Sequence, residues 1–337
     1  MTMEPDSTTL DNILTTLHKE KCFPFHVAAE NLITYKSLVA EFGLKSFDRH
    51  IVLKLQDFHL LPRSVKCISL QPNCNMVVKA ARVVDKVQWV CEGCGKRQPI
   101  RSGSFFLRIP CSLLQTLQII LAWCEDADLD VAAQYFDVKP KVASFVYDKL
   151  DELAVSEQSR YKLGGDNSVV LTEMYPDCLN RLSPDTTEQP HVHRILMMAD
   201  TNHIPTSYKF HVITGDTEKT SNLDYQNLKS ELETVLSNAT LTNSLVVTGN
   251  NVPPIDGATS LQQLLQSCDS EMRHFLSRQV WRQAVNLCAA SRDLCRAAAA
   301  CDVITQRYLH AAAFRRRLPH DFYRHVLTAL AGHYTQG

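Results

Sequence analysis

The chain lacks net charge, a membrane-length apolar run, and the common phosphate and hydrolase signatures. Its 35 Lys and Arg against 36 Asp and Glu leave a formal charge of -1, so no bulk field attracts a polyanion to the whole chain. The best apolar run, Leu113 to Trp123, is interrupted by Gln115, Thr116 and Gln118. It falls short of the about 20 residues that a bilayer-crossing helix needs, and no membrane partner is expected. The opening Met-Thr-Met-Glu-Pro-Asp-Ser has neither the basic start nor the apolar stretch of a secretion signal. There is no phosphate loop, no G-x-S-x-G elbow and no H-E-x-x-H, which sets aside nucleotide, acyl-transfer and zinc-hydrolase chemistry of the usual kinds. No internal repeat of fixed period is present.

What is present suits a globular protein of two or three domains: 337 residues, 45% hydrophobic and 21% charged. Twelve cysteines are spread through this length. Several of them (Cys124, Cys288, Cys301) lie in apolar helix-like stretches, unlike the crowded cysteines of a short secreted scaffold, so a reducing intracellular compartment is expected. The charges are also unevenly distributed. Residues 51–110 hold ten basic and three acidic residues, a net of +7; residues 271–337 hold ten and four, a net of +6. Residues 111–270 hold ten basic and twenty-two acidic residues, a net of -12. Basic ends around an acidic centre point to a polyanion partner for the ends, or to neutralisation of the centre within the fold or between subunits of a homodimer.

The hydrophobic pattern divides the chain into segments. Residues 1–62 read as a helical lead that stops at Leu61-Pro62, and 63–110 as short strands at Met76–Val78, Ala81–Val84 and Val87–Val90. Residues 111–156 read as helices opened by Pro110-Cys111-Ser112. After a polar stretch, residues 165–337 combine strands at Ser168–Leu171, Arg194–Met198, Tyr208–Ile213 and Leu245–Val247 with a helix at Tyr225–Leu236 and a helical end. An acidic loop spans 183–190. The fold class expected is therefore a multidomain α+β or α/β chain.

Cys91-Glu92-Gly93-Cys94-Gly95 is a thiolate knuckle: the turn aims both sulfurs at one ion, and Gly95 lets the backbone bend. Four tetrahedral ligands need a second pair. Gln71 stands three residues before Cys74, so the nearest completing residue is Cys67, with Cys67 and Cys74 joined to Cys91 and Cys94 through a hairpin containing Trp89. Structural zinc is expected, because four thiolates leave no open position for catalysis. The alternative is that Cys67 or Cys74 is simply buried. His191-Val192-His193 is a weaker metal candidate in a polar stretch.

Leu129–Phe136 and Lys139–Leu150, joined at Asp137-Val138 with Pro140 in the first turn, read as a helix-turn-helix. Val142, Phe145, Val146 and Leu150 fall on one face, while Lys141, Ser144 and Lys149 fall outward. Asp148, Asp151 and Glu152 lie near that outward face and would repel phosphate, so a plain helical hairpin is the alternative.

The order of these parts resembles that of the Merlin-type (ISXO-like) DDE transposases: a helical lead, a zinc ribbon, Arg101-Ser102-Gly103-Ser104-Phe105-Phe106, an apolar helix with Trp123, and a helix-turn-helix. Tyr308-Leu309 followed by Phe314-Arg315-Arg316-Arg317 is similar to that family's "YL-x-E-F-x-W-R" helix, and the likeness spans residues 45 to 334. It implies an RNase H-like core, a mixed sheet with helices, in which three acids hold two divalent metals. The first acid stands in "V-E-I-D-E", and here Val169-Val170-Leu171-Thr172-Glu173 places Thr172 there. The second stands in "T-D-G", and here Val247-Thr248-Gly249-Asn250 places Gly249 there. The third aligns with Arg273, before His274-Phe275.

Hard Mg²⁺ or Mn²⁺ takes anionic oxygen ligands, which Thr172, Gly249 and Arg273 do not supply, so neither metal is expected. The resemblance then implies a nuclear, transposase-derived protein that binds DNA or chromatin partners without strand transfer. The DNA-facing candidates are Lys96, Arg97, Arg101, Lys139, Lys141, Ser144, Lys149, Arg315, Arg316 and Arg317. The alternatives are an active nuclease with acids relocated among Glu173, Asp177, Asp200, Asp256, Asp269 and Glu271, and a protein-interaction scaffold that no longer binds DNA.

Overall fold

The computed structural model describes residues 23–39, 47–69, 72–166, 168–180, 191–200, 207–213, 222–274, 278, 302–318 and 320–334. The acidic loop 183–190 and the alanine-rich stretch 297–300 lie outside the described residues. The chain forms two compact units: residues 1–147 with 326–337, and residues 148–325.

The first unit begins with helices α1 (Ala29–Val39) and α2 (Phe47–Asp57). A three-stranded antiparallel sheet follows, β1 (Met76–Ala80), β2 (Val87–Cys91) and β3 (Arg97–Pro99), in that order. Strand β2 alternates buried Val87, Trp89 and Cys91 with half-exposed neighbours, the period of a sheet with one covered face. Ala81–Val84, expected as a strand, is instead the turn between β1 and β2. Ala81 N–H donates to the Lys86 carbonyl and Lys86 N–H to that of Val83, with Lys86 at φ 56°. A hairpin must reverse somewhere, and that requirement overrides the β preference of the exposed Val83 and Val84.

Helix α3 (Leu113–Cys124) is buried almost all round, from Leu117 through Ile119, Ile120, Leu121 and Trp123. Ser112 and Gln115 start it with a reciprocal capping box. Helix α1 is tied to its end by Glu125, whose Oε1 accepts from Ala28 N–H at 2.9 Å and Asn31 Nδ2 at 2.8 Å. Helices α4 (Leu129–Tyr135) and α5 (Pro140–Arg160) complete the helical part. Asp128 caps α4 through the amides of Asp130 and Val131. Asp137 adopts φ 53° after α4, while Val138 N–H reaches the Ala133 carbonyl at 2.9 Å, a Schellman close with Asp in the usual glycine place. Gln115 Nε2 holds the same turn by donating to the carbonyls of Phe136 (3.2 Å) and Asp137 (3.0 Å).

The second unit is built on a five-stranded mixed sheet of β4 (Val169–Asn180), β5 (His191–Asp200), β6 (Ser207–Ile213), β7 (Leu245–Thr248) and β8 (Thr259–Ser260), in the order β6-β5-β4-β7-β8. Pairings β6-β5 and β5-β4 are antiparallel; β4-β7 and β7-β8 are parallel. Alternate residues face opposite sides, and both sides are covered. Leu171, Met197, Phe210 and Val247 pack with Leu309, Ala312 and Ala313 of α8 (Asp302–Arg317). Val170, Leu196 and Met198 pack with Leu232, Leu236 and Ala239 of α6 (Asn222–Ala239). Gln306 stitches α8 to β6: its Oε1 accepts Val212 N–H at 2.7 Å, and its Nε2 donates to the Phe210 carbonyl at 3.0 Å. Short α7 (Leu261–Gln266) and terminal α9 (Phe322–Tyr334) complete the described elements. No helix among the described residues is long and apolar enough to cross a membrane.

Candidate metal centre and the acid positions

Cys67 lies in the loop after α2, Cys74 in the turn before β1, Cys91 at the end of β2, and Cys94 in the turn to β3. The antiparallel register sets Met76 against Cys91, so the hairpin brings the two loops together. Their four sulfurs lie within 4.8 Å of one another. Cys94 Sγ is 3.5 Å from Cys67 Sγ and 3.8 Å from Cys74 Sγ, and none is in a disulfide. A tetrahedral zinc with bonds of about 2.3 Å spaces its sulfurs about 3.8 Å apart, and four soft thiols suit zinc rather than a hard cation. The donor set therefore fits a closed, structural site for a metal such as zinc, with Cys67 and Cys74 completing the knuckle.

The surroundings favour the thiolate form. The Ser69 hydroxyl, 3.4 Å from Cys94 Sγ, and then the Lys96 amide bring the Cys94 thiol down to about 6. The Cys91 thiol is lowered chiefly by the Cys94 amide. Deprotonated sulfur is the form that binds metal. The knuckle is closed by Gly95 N–H donating to the Cys91 carbonyl at 2.9 Å and Cys91 N–H donating to that of Lys96 at 2.8 Å. Gly95 has φ 70°, a left-handed conformation suited to glycine. Gly93 is required for another reason: a Cβ there would fall 2.1 Å from the Asn73 carbonyl oxygen, so the two loops meet backbone to backbone. Sequence reasoning missed Gly93 and Ser69. The first was readable as a glycine inside the knuckle; the second carries no local signal.

The proposed acid positions lie in the second unit. Thr172 is fully buried in β4, where its hydroxyl donates to the Val247 carbonyl at 3.3 Å. Gly249 follows β7 and donates its N–H to the Thr172 carbonyl at 2.8 Å. The space that a side chain at 249 would use belongs to Glu173, because a Cβ there would lie 2.0 Å from Glu173 Oε2. Glu173 Oε1 accepts the amides of Asn251 (3.1 Å) and Met174 (3.0 Å), strapping the end of β7 to β4. Arg273 is exposed and donates to the Cys268 carbonyl at 3.0 Å.

Other acids are engaged elsewhere. Asp200 is buried opposite Val170, and its Oδ2 accepts Gly164 N–H at 2.7 Å. Asp256 is 3.5 Å from Lys229, and Asp269 caps a helical turn through Met272 N–H. Glu271 is exposed. Asp177 and the His191-Val192-His193 pair lie in strands whose side chains at those positions are outside the described residues. Among the described residues, the four cysteines are the converging set of three or more metal-type side chains.

The basic candidates separate by burial. Lys96, Arg97, Lys139, Lys141 and Arg316 are exposed; Ser144, Lys149, Arg315 and Arg317 are partly buried. Arg101 does not face outward. It is buried against Asp85, and its guanidinium also donates to the Cys111 carbonyl at 2.7 Å and to that of Ile109. Five directed N–H donors suit this closure of the 100–111 loop, which removes Arg101 from any phosphate-facing set. Asp85 was not identified because an isolated turn acid looks solvated in sequence. On α5, Asp148 lies 3.6 Å from Arg307, which offsets part of the repulsion its carboxylate would exert on phosphate. Comparison with protein-family models, characterised proteins and solved structures finds no match to this chain.

Proposed function

We propose that this chain is a nuclear, DNA-binding derivative of a Merlin-type DDE transposase that neither cuts nor joins strands. The observation that carries this reading is the chemistry at the three acid positions: a buried Thr172 hydroxyl, Gly249 filled in by Glu173, and an exposed Arg273. A two-metal centre needs convergent carboxylates, and the one carboxylate at these positions, Glu173, is bound to the Met174 and Asn251 amides. The mixed sheet with helices on both faces supports an RNase H-like assignment for the second unit. The four-thiol cluster on a β-hairpin supports a zinc ribbon in the first.

The two short-linked helices α4 and α5 support a DNA-reading pair, with Lys139 and Lys141 exposed at the start of the second. Lys96 and Arg97 add phosphate contacts from the ribbon. Chromatin proteins are secondary partners in this reading. The test is to incubate zinc-loaded full-length protein with duplex DNA in Mg²⁺ and in Mn²⁺, following retardation and strand scission together. Retarded, intact DNA is expected. Failure to bind DNA, or scission lost in Asp200→Asn or Glu271→Gln, overturns the proposal.

A further inference from the structure

Within the second unit, three elements bring cations together around side chains whose hydrogen bonds are incomplete. Lys209 on β6 is half-buried and donates from Nζ to the Gln158 carbonyl near the end of α5 at 2.8 Å. Arg317, at the end of α8, lies with Cζ 4.4 Å above the Tyr161 ring and 5.3 Å from that of Phe314. Lys162, exposed, follows Tyr161 directly.

Cations near helix C-termini have an ordinary explanation, compensation of the helix dipole. It accounts for Lys209, which bonds a terminal carbonyl, but not for the remaining groups. Gln158 is 1% exposed, yet neither Nε2 nor Oε1 has a hydrogen-bond partner, and Arg317 Nη1 is likewise buried without one. Buried polar atoms are costly to leave unmade, so an amide and a guanidinium edge left open near the half-buried Lys209 call for an acceptor. Glu157 is the acid that acts on Arg317, and it is shared with Arg160 at 3.5 Å.

Burial, then the charges of Arg317 and Lys162, hold the Lys209 ammonium down to about 8. Burial, then the charges of Lys209 and His211, keep His310 neutral, and His211 lies 2.9 Å from Glu231. Against the single carboxylate of Glu157, the three cations Lys162, Lys209 and Arg317 leave the local balance cationic.

We propose that Lys162, Lys209, Arg317 and the Gln158 amide form a binding site for a single phosphate-type oxyanion. The guanidinium and ammonium supply charge-assisted donors, and the Gln158 Nε2 supplies a neutral one. The site stands independently of the DNA reading, since a free phosphate and a backbone phosphodiester present the same oxygens.

The test uses the full zinc-loaded chain and inorganic phosphate as the probe, followed by thermal melting against chloride at matched ionic strength. A saturable rise in melting temperature is expected, with phosphate affinity falling about tenfold or more in Arg317→Gln and in Lys162→Gln. Lys162 is exposed, so its variant tests the charge without threatening the fold. Gln158→Met is expected to lose the phosphate response while melting no lower than wild type without phosphate, because it removes an unsatisfied amide. A competing duplex DNA distinguishes the sources: displacement of phosphate assigns the site to the nucleic-acid backbone, and coexistence assigns it to free phosphate. No saturable response, or one unchanged in all three variants, overturns the site and leaves only general salt stabilisation.

Discussion

Gly93→Ala is the sharpest perturbation of the metal centre, because it leaves all four sulfurs in place and acts only on their spacing. The added Cβ would lie 2.1 Å from the Asn73 carbonyl oxygen and 2.8 Å from its carbon, both backbone atoms that no rotamer change can move. An ordinary contact needs the two loops to separate by about 1 Å, whereas metal–sulfur bonds tolerate only about 0.2 Å. The Cys74 and Cys91–Cys94 sides of the site must then part, or the hairpin must distort. Overpacking of this kind costs about 1–3 kcal/mol, and displacement of ligands by their supporting shell weakens metal about 10- to 100-fold. The assay is zinc affinity by competition with a chromophoric chelator, together with the melting temperature of the zinc-loaded protein. Gly95→Ala is the control: its φ of 70° makes alanine strained, but no atom lies within 4 Å of the new Cβ. It should lose some stability and keep its zinc. Wild-type zinc affinity in Gly93→Ala would refute the claim that backbone contact between the loops sets the sulfur spacing.

Arg101→Leu strands the buried Asp85 carboxylate and is expected to cost about 3–5 kcal/mol in a denaturant melt. Adding Asp85→Leu should recover much of that loss, and a purely additive double variant would show that the pair is not coupled. His310 accepts a hydrogen bond from Gln306 Nε2 at 3.0 Å, and burial, then the charges of Lys209 and His211, push its imidazole down to about 4. The unfolded chain, with a histidine near 6.5, takes up a proton that the fold rejects. Stability is therefore complete above about pH 6.5 and lost as pH falls towards about 4, with an upper limit of about 3 kcal/mol. Urea melts across that window should show the loss, and His310→Leu should flatten it; an unchanged slope in that variant would contradict the assignment. Thr172→Asp combined with Gly249→Asp should not create Mg²⁺ binding in calorimetry, because position 172 is fully buried between β5 and β7, where a cation cannot keep its waters. A Mg²⁺-dependent rise in melting temperature would show that the centre can be rebuilt.

The strands of the second unit were legible because Val169–Leu171 and Ile195–Met198 are continuous apolar runs, as a sheet covered on both faces demands, while Tyr208–Ile213 at the sheet edge alternates apolar residues with Lys209 and His211. The α4–α5 turn was legible because Pro140 marks the start of the second helix. The hairpin turn at Ala81–Val84 was not, since two valines mimic a strand where the backbone must reverse. In the metal centre, Cys91 and Cys94 announced themselves by spacing and Cys67 and Cys74 as the nearest cysteines upstream, and the β1–β2 register brings the two pairs together. Arg101 was read as a surface cation because its partner Asp85 is sixteen residues away in a turn. The orphaned Gln158 and Arg317 atoms could not be read at all: incomplete hydrogen bonding is a property of three packed elements, not of any one segment.

DNA affinity measured as a function of salt tests the proposed function most directly. Each phosphate contacted releases counterions and adds about 0.9 to the slope of log affinity against log salt. Wild type should bind duplex DNA with a steep negative slope, and Lys139→Gln with Lys141→Gln should reduce that slope by about 2, with the zinc centre and melting temperature intact. A slope near zero, or one untouched by removing both exposed lysines of α5, would contradict a DNA-binding role for the helix pair.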